Sequence, residues 1–181
     1  MSDIGILRLP KWVDKMDVTV DRAWENLRGR PGLDRVFYLA SAAGDFSLIW
    51  HAFNVGRLLA KPEGRVRFVR LASALAVESL IVNQVIKRAF DRERPEQNVE
   101  RPHHLRTPST TSFPSGHASS AAMATSLIAQ RSALGPAAGI VGAVVATSRL
   151  HVRIHHASDV VAGAAVGLAL AAAWKRLWPL E

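Results

Sequence analysis

The stretch VVAGAAVGLALAAAW, residues 160–174, runs for 15 positions without Asp, Glu, Lys or Arg. It does not alternate with period two, so it reads as a helix rather than a half-buried strand. A helix apolar on every side is either buried in a protein core or surrounded by lipid. The pattern recurs. Residues 132–148 (SALGPAAGIVGAVVATS) hold 17 uncharged positions, and residues 118–130 (ASSAAMATSLIAQ) hold 13. Between 71 and 86 the only charge is Glu78, and between 36 and 54 it is Asp45. None reaches the ~20 apolar residues of an unambiguous span. The expectation is an all-α transmembrane bundle of about five spanning helices, each near minimal membrane length. On composition alone, a soluble all-α bundle with buried helices fits equally well.

The totals set outer limits. A chain of 181 residues allows one compact domain and is too short for two ordinary ones. A 49% hydrophobic share excludes intrinsic disorder. The absence of Cys excludes a disulfide scaffold and a thiolate zinc site. A net charge of +8 raises the question of nucleic acid. The basic residues are interspersed with acids and lack an aromatic–basic platform, so no nucleic-acid partner is expected.

Residues 1–10 lack the charged segment and apolar core of a signal peptide. Within 11–30, Trp12, Met16, Ala23, Trp24 and Leu27 fall near helical spacing with charges between them. This predicts an amphipathic helix ended by Pro31-Gly32, lying on a membrane surface or packed as an outer helix. The chain therefore divides into an N-terminal segment, 1–32, and a helical domain, 33–181. Apolar helices are expected over 33–59, 66–90, 115–130, 136–150 and 159–178. Trp174, Trp178, Lys175 and Arg176 form an interfacial anchor at the end of the last. Gly163 and Gly167 make a G-x-x-x-G pair of the kind that lets helices approach closely. Glu78 should face the bundle interior, because a mid-membrane carboxylate costs roughly 2.5–3.5 kcal/mol. There it either supports a site or pairs with another helix. The polar stretch 91–113, with Pro95, Pro102, Pro108, His103 and His104, is long enough to read as a functional loop.

Three clusters carry chemistry. Lys87 and Arg94-Pro95 are separated by six residues; Pro114-Ser115-Gly116-His117 opens a helix; Ser148-Arg149 precedes His155 by five residues and Asp159 by nine. Each sits where a helix meets a polar loop, and up-down connectivity brings all three to one face. Lys87, Arg94 and Arg149 would meet there with the Ser115 hydroxyl and the Ser115-Gly116 amides. Helix N-termini and guanidinium groups both bind phosphate oxygens, so the face reads as a phosphate cradle. Asp159 can fix the tautomer of His155 and leave its other nitrogen free to attack. His117 is then placed to protonate a leaving oxygen. Asp91, Arg92 and Glu93 read as solvated loop residues, and His103, His104 and His151 as loop histidines.

The three clusters, in this order, resemble the type 2 phosphatidic acid phosphatase superfamily. Its signature K-x6-R-P, P-S-G-H and S-R-x5-H-x3-D is matched by KRAFDRERP, PSGH and SRLHVRIHHASD, spanning residues 87–159. His156 stands where an aromatic residue is common, and Ala157 where Pro is common. Members often have six spanning helices, so the amphipathic segment would replace the first. The resemblance implies that His155 forms a phosphohistidine, that Asp159 orients it, and that His117 protonates the leaving alcohol and then activates water. It implies that Lys87, Arg94, Ser115, Gly116 and Arg149 hold the phosphoryl oxygens, with no metal and no cofactor.

The expected activity is that of a metal-independent membrane phosphatase acting on phosphatidic acid, phosphatidylglycerol phosphate, or a polyprenyl phosphate or diphosphate. A soluble acid phosphatase or haloperoxidase of the same superfamily would be longer. A non-enzymatic anionic-lipid-binding protein would not need the His155–Asp159 pair or His117. Expected partners are the lipid phosphate, membrane lipids and, as an open possibility, a second copy in a homo-oligomer. The Arg- and Ala-rich composition suggests a bacterial cell membrane. The resemblance favours an extracytoplasmic site.

Overall fold

A computed structural model describes residues 7–60, 64–95 and 105–180. His103 and His104 fall outside them. Seven α-helices run through the described residues: α1 Lys11–Glu25, α2 Pro31–Gly44, α3 Leu48–Ala60, α4 Arg65–Ala89, α5 Gly116–Ile128, α6 Gly135–His151 and α7 Ala157–Leu177. Pro31 opens α2 instead of closing the preceding helix, because proline suits the first helical turn, where its missing N–H is not needed.

The helices expected over 66–90 and 159–178 are present as α4 and α7, with 25 and 21 residues, and both are long and apolar enough to cross a membrane. The helix expected over 33–59 is broken in two. Asp45–Ser47 forms a 3-10 turn between α2 and α3, with Phe46 and Ser47 at φ 52 and 58. Two non-glycine residues with positive φ mark stored strain of the kind found at functional sites. Two of the seven helices are thus long and apolar enough to cross a membrane, and five shorter ones pack with them.

Small residues hold the bundle together. A Cβ added at Gly163 would lie 2.3 Å from the Ser115 carbonyl oxygen, and one at Gly167 would lie 2.1 Å from that of Ser119. The G-x-x-x-G pair is thus the surface on which α5 lies against α7. Gly142 of α6 meets Thr125 of α5 in the same way, with a hypothetical Cβ at 2.5 Å. Around Ala74, Leu75, Ala121, Met123 and Ala124 the interior is tightly filled. Large apolar side chains point outward instead: Leu39, Leu59, Ile140, Val161 and Leu168 are all more than half exposed. Charged Arg149, Lys87, Glu78 and Asp159 are inside. In water this distribution would be unfavourable. It suits a bundle whose outer surface meets hydrocarbon and whose interior encloses a polar site.

α1 lies across the start of α7. Its Val13 and Asp17 are buried, while Trp12 and Met16 are exposed. Arg28, just after α1, donates to the carbonyls of Leu150 and His151 at 2.9 and 3.0 Å, satisfying the free end of α6.

Candidate active site

The site forms where α4 ends, α5 and α7 begin, and α6 runs out. A π-helical segment, Ile81–Ile86, precedes Lys87 and changes the winding just before it. Such segments cluster at functional sites because they re-aim the side chains that follow. Ser115 caps α5, its Oγ accepting from the Ala118 N–H at 3.4 Å. The Ser115 N–H donates to the Asp159 carbonyl at 3.0 Å, which ties the start of α5 to the start of α7. The Arg149 carbonyl accepts from the Ile154 and His155 amides at 3.0 and 3.1 Å and folds the intervening loop back over α6.

These elements enclose a cavity of about 430 Å³ whose walls include Lys87, Gly116, His117, Arg149 and His155. His155 is 2% exposed. Its Nδ1 faces Asp159 Oδ2 at 3.5 Å, and its Nε2 lies 3.4 Å from Arg94 Nη1. Arg94 is anchored by the carbonyls of Ile154 at 2.9 Å, Thr110 at 2.9 Å and Thr111 at 3.2 Å. Lys87 Nζ donates to Thr110 Oγ1 at 3.4 Å. Arg149 is 1% exposed and its Nη1 donates to Ser41 Oγ at 2.5 Å. Gly116 has open space where a Cβ would stand, so its backbone is bare to the cavity.

Burial pushes the His155 imidazole down to about 3, with Arg149 and Arg94 adding to the shift and Asp159 opposing it. The ring is therefore neutral near pH 7, the state a nitrogen nucleophile needs. Burial lowers Arg94 as well, but its reference value is so high that the charge survives.

The sequence-predicted residues converge. Lys87, Arg94, Gly116, His117, Arg149, His155 and Asp159 come together. Ser115 caps α5 with its hydroxyl and joins α5 to α7 through its amide; like Arg94 and Asp159, it stands just behind the cavity lining. His151 departs from expectation. It is 3% exposed at the end of α6, with Nε2 2.8 Å from Asp34 Oδ1, Nδ1 accepting from Trp24 Nε1 at 3.2 Å, and the ring stacked on Phe37. It is a structural residue, not a loop histidine.

Three contributors escaped the sequence reading. Asp45, in the kink between α2 and α3, places Oδ1 3.3 Å from His117 Nε2, which also lies 3.0 Å from the Ser41 carbonyl. Its signal was its isolation as the lone charge between residues 36 and 54. Arg106 reaches the cavity from the loop and sits over the Phe46 ring, 4.6 Å from its centroid. Arg92 is not a solvated loop residue: its side chain is 11% exposed and pairs with both Asp159 and Asp17. Burial works against its charge, but the two carboxylates outweigh that and raise its pKa.

The sequence model of the PAP2 superfamily matches residues 67–180. Decaprenylphosphoryl-5-phosphoribose phosphatase of Mycolicibacterium smegmatis is 36% identical over 155 residues, 85% of this chain and 82% of that protein. Its namesake from Mycobacterium tuberculosis strain H37Rv is 30% identical over 148 residues, 79% of each chain. A transmembrane PAP2-type phosphatidylglycerolphosphate phosphatase from Bacillus subtilis has the same fold, with a TM-score of 0.73 at 23% identity, covering 93% of this chain and 87% of the other.

Proposed function

The chain belongs to the PAP2 superfamily and is a lipid phosphatase of that family; from this we propose that it removes the phosphomonoester of a polyprenyl-linked sugar phosphate through a phosphohistidine on His155. The observation that carries the reaction is the His155 ring, held between Asp159 at Nδ1 and Arg94 at Nε2 on the wall of a cationic cavity. His155 Nε2 attacks phosphorus while the P–O bond to the alcohol breaks. Lys87, Arg94, Arg149 and the backbone at Gly116 stabilise the charge on the phosphoryl oxygens, which is the largest catalytic contribution available in a dry site. His117, braced by Asp45 and Ser41, gives its proton to the leaving alkoxide. It then takes a proton from water, which cleaves the P–N bond and releases phosphate. Ser115 acts through the fold by fixing α5 to α7.

Two features support the substrate class. The mycobacterial relatives are named for a prenyl-linked phosphoribose. Beyond the phosphate groups the cavity presents Glu78, Ser79, Asn83 and His51, which suit a hydroxylated leaving group better than bare hydrocarbon.

The end of the bundle opposite the cavity carries Arg57, Arg65, Arg67, Arg70, Arg131, Lys175 and Arg176, and no Asp or Glu among the described residues. Arg70 donates to the Trp178 carbonyl at 2.8 Å and to Gln130 Oε1 at 2.9 Å, and Arg67 to the Gln130 carbonyl at 3.0 Å, which places these cations together. On the family resemblance, this end faces the cytoplasm and the cavity the extracytoplasmic side of a bacterial membrane. There α1 lies at the headgroup level with Trp12 and Met16 outward, and residues 33–181 make up the phosphatase domain to which 1–32 is appended.

The test is phosphate release in detergent from a prenyl-linked sugar phosphate, phosphatidylglycerol phosphate and a prenyl monophosphate, with and without EDTA. The sugar phosphate should be the best substrate, EDTA should have no effect, and His155→Ala should abolish turnover. Undiminished turnover by His155→Ala overturns the mechanism; a preference for either of the other lipids overturns the substrate class.

A further inference from the structure

The Arg92 side chain occupies a position that the phosphate chemistry does not use. Its Nη1 donates to Asp159 Oδ1 at 2.5 Å and to Ser158 Oγ at 2.7 Å. Its Nη2 donates to Asp17 Oδ2 at 2.5 Å. Asp17 comes from α1, 75 residues before Arg92 and 141 before Ser158, and is 3% exposed. It also accepts from the Ser158 N–H at Oδ1, 2.8 Å, and from the Ser158 Oγ–H at Oδ2, 2.6 Å. A carboxylate on α1 thus satisfies an otherwise orphaned donor in the first turn of α7, and the guanidinium bridges that carboxylate to the one that faces His155.

The consequence lies in Asp159. With Oδ1 held by Arg92 and Oδ2 accepting from the His156 N–H at 2.9 Å, the carboxylate cannot rotate about its Cβ–Cγ bond. The oxygen at 3.5 Å from His155 Nδ1 is then always the same one. A lysine could supply charge and donors here, but from one nitrogen on a flexible stem and not from two nitrogens held in a fixed plane between the two carboxylates.

We propose that Arg92 and Asp17 are positioning residues for the nucleophile: together they lock Asp159 against His155 and make α1 a working part of the active site. Neither side chain reaches the cavity that receives the phosphate. The inference rests on His155 being the nucleophile, as proposed above. It adds that the N-terminal helix, outside the family signature, sets the reactivity of that histidine.

The test compares Arg92→Gln, Arg92→Lys, Asp17→Asn and the double variant Arg92→Gln/Asp17→Asn, with His155→Gln as control. The readouts are kcat, KM, thermal stability in detergent and the pH dependence of kcat/KM. A misplaced nucleophile should lower kcat on the order of 100-fold in Arg92→Gln, with KM changed less than about threefold. Arg92→Lys should fail to restore kcat, and the double variant should cost no more than the worse single one, because the two residues act through one carboxylate.

The charges facing the His155 ring are Asp159 from α7, Arg149 from α6 and Arg94 from the loop. Without Arg92 the full negative charge of Asp159 acts on His155, so the acid limb of kcat/KM should move up by about one pH unit or more. A purely structural contact would lower stability and leave that limb in place. Turnover within twofold of wild type in both Arg92→Gln and Asp17→Asn overturns the proposal. So does a rise in KM at constant kcat, which would make Arg92 a phosphate ligand, or lost activity with an unmoved acid limb. Should His155→Gln keep full activity, it is the nucleophile assignment that fails, a result separate from all of these.

Discussion

Replacing Gly163 by Ala adds one methyl group between the helix that carries His117 and the helix that carries Asp159, the partner of His155. The new Cβ would stand 2.3 Å from the Ser115 carbonyl oxygen, where ordinary contact begins at 3.4 Å. About 1.1 Å must be found, and the obstacle is backbone at the first turn of α5, next to the 3.0 Å bond from the Ser115 N–H to the Asp159 carbonyl. No flexible side chain can yield, so α5 and α7 must separate. Overpacking of this kind costs typically ~1–3 kcal/mol, which lowers the melting temperature without unfolding the bundle. Catalysis should suffer more. His117 rides on α5 and Asp159 on α7, so the shift opens the distance between acid and nucleophile by a similar amount. A 1 Å displacement of reacting groups costs on the order of 100-fold in rate. Phosphate release by purified Gly163→Ala, assayed well below its melting temperature, should fall by about that factor. Gly139→Ala is the control: nothing lies within 4 Å of a Cβ there, so activity should hold, with a slight gain in stability from the better helix former. A Gly163→Ala enzyme with kcat within twofold of wild type would refute the packing argument.

Gly116→Ala places a methyl in the open cavity without a clash; the protein should fold normally, while KM for the lipid phosphate rises and inhibition by inorganic phosphate weakens. Asp45→Asn removes the carboxylate 3.3 Å from His117, so steady-state turnover should drop at least tenfold, whereas removal of an idle surface charge would leave it unchanged. Folded His155 resists protonation down to about 3, while in the unfolded chain it titrates near pH ~6.5. Stability in detergent should therefore fall as pH drops below ~6.5, by up to tenfold in the folding constant per pH unit, with a shallower decline in His155→Gln; parallel curves would argue against a buried neutral ring. The chain has no Cys, so single cysteines at exposed Ser109 and Ala133 report topology in intact cells: an impermeant thiol reagent should label Ser109→Cys and spare Ala133→Cys, and the reverse pattern would invert the orientation.

The helices and the signature residues were legible in the sequence because both are local patterns. Charge-poor runs mark α4 and α7, and fixed spacings tie Lys87 to Arg94 and His155 to Asp159. The G-x-x-x-G pair was legible as a close-packing face, although its partner, the start of α5, was not. What stayed hidden depends on tertiary distance. The kink at Phe46 and Ser47 has no Gly or Pro within it to announce it, so residues 33–59 read as one helix. That Ser115 also ties α5 to α7, through its N–H to the Asp159 carbonyl 44 residues on, is a tertiary contact with no local sign. Arg92 sits among Asp91, Glu93 and Arg94 in a loop that looks solvated. Only the arrival of Asp17 from α1 turns it into a buried bridge. A residue whose partners lie 67 and 75 positions away leaves no periodicity to read.

The central claim is a covalent bond between phosphorus and His155. Mixing the enzyme with a lipid substrate labelled in its terminal phosphate, quenching within milliseconds and mapping the label by peptide analysis tests it most directly. The label should reside on His155, be lost in acid and survive base, and be absent from His155→Gln. Label on a carboxylate or hydroxyl side chain, or an equal yield of phosphoenzyme from His155→Gln, would contradict it.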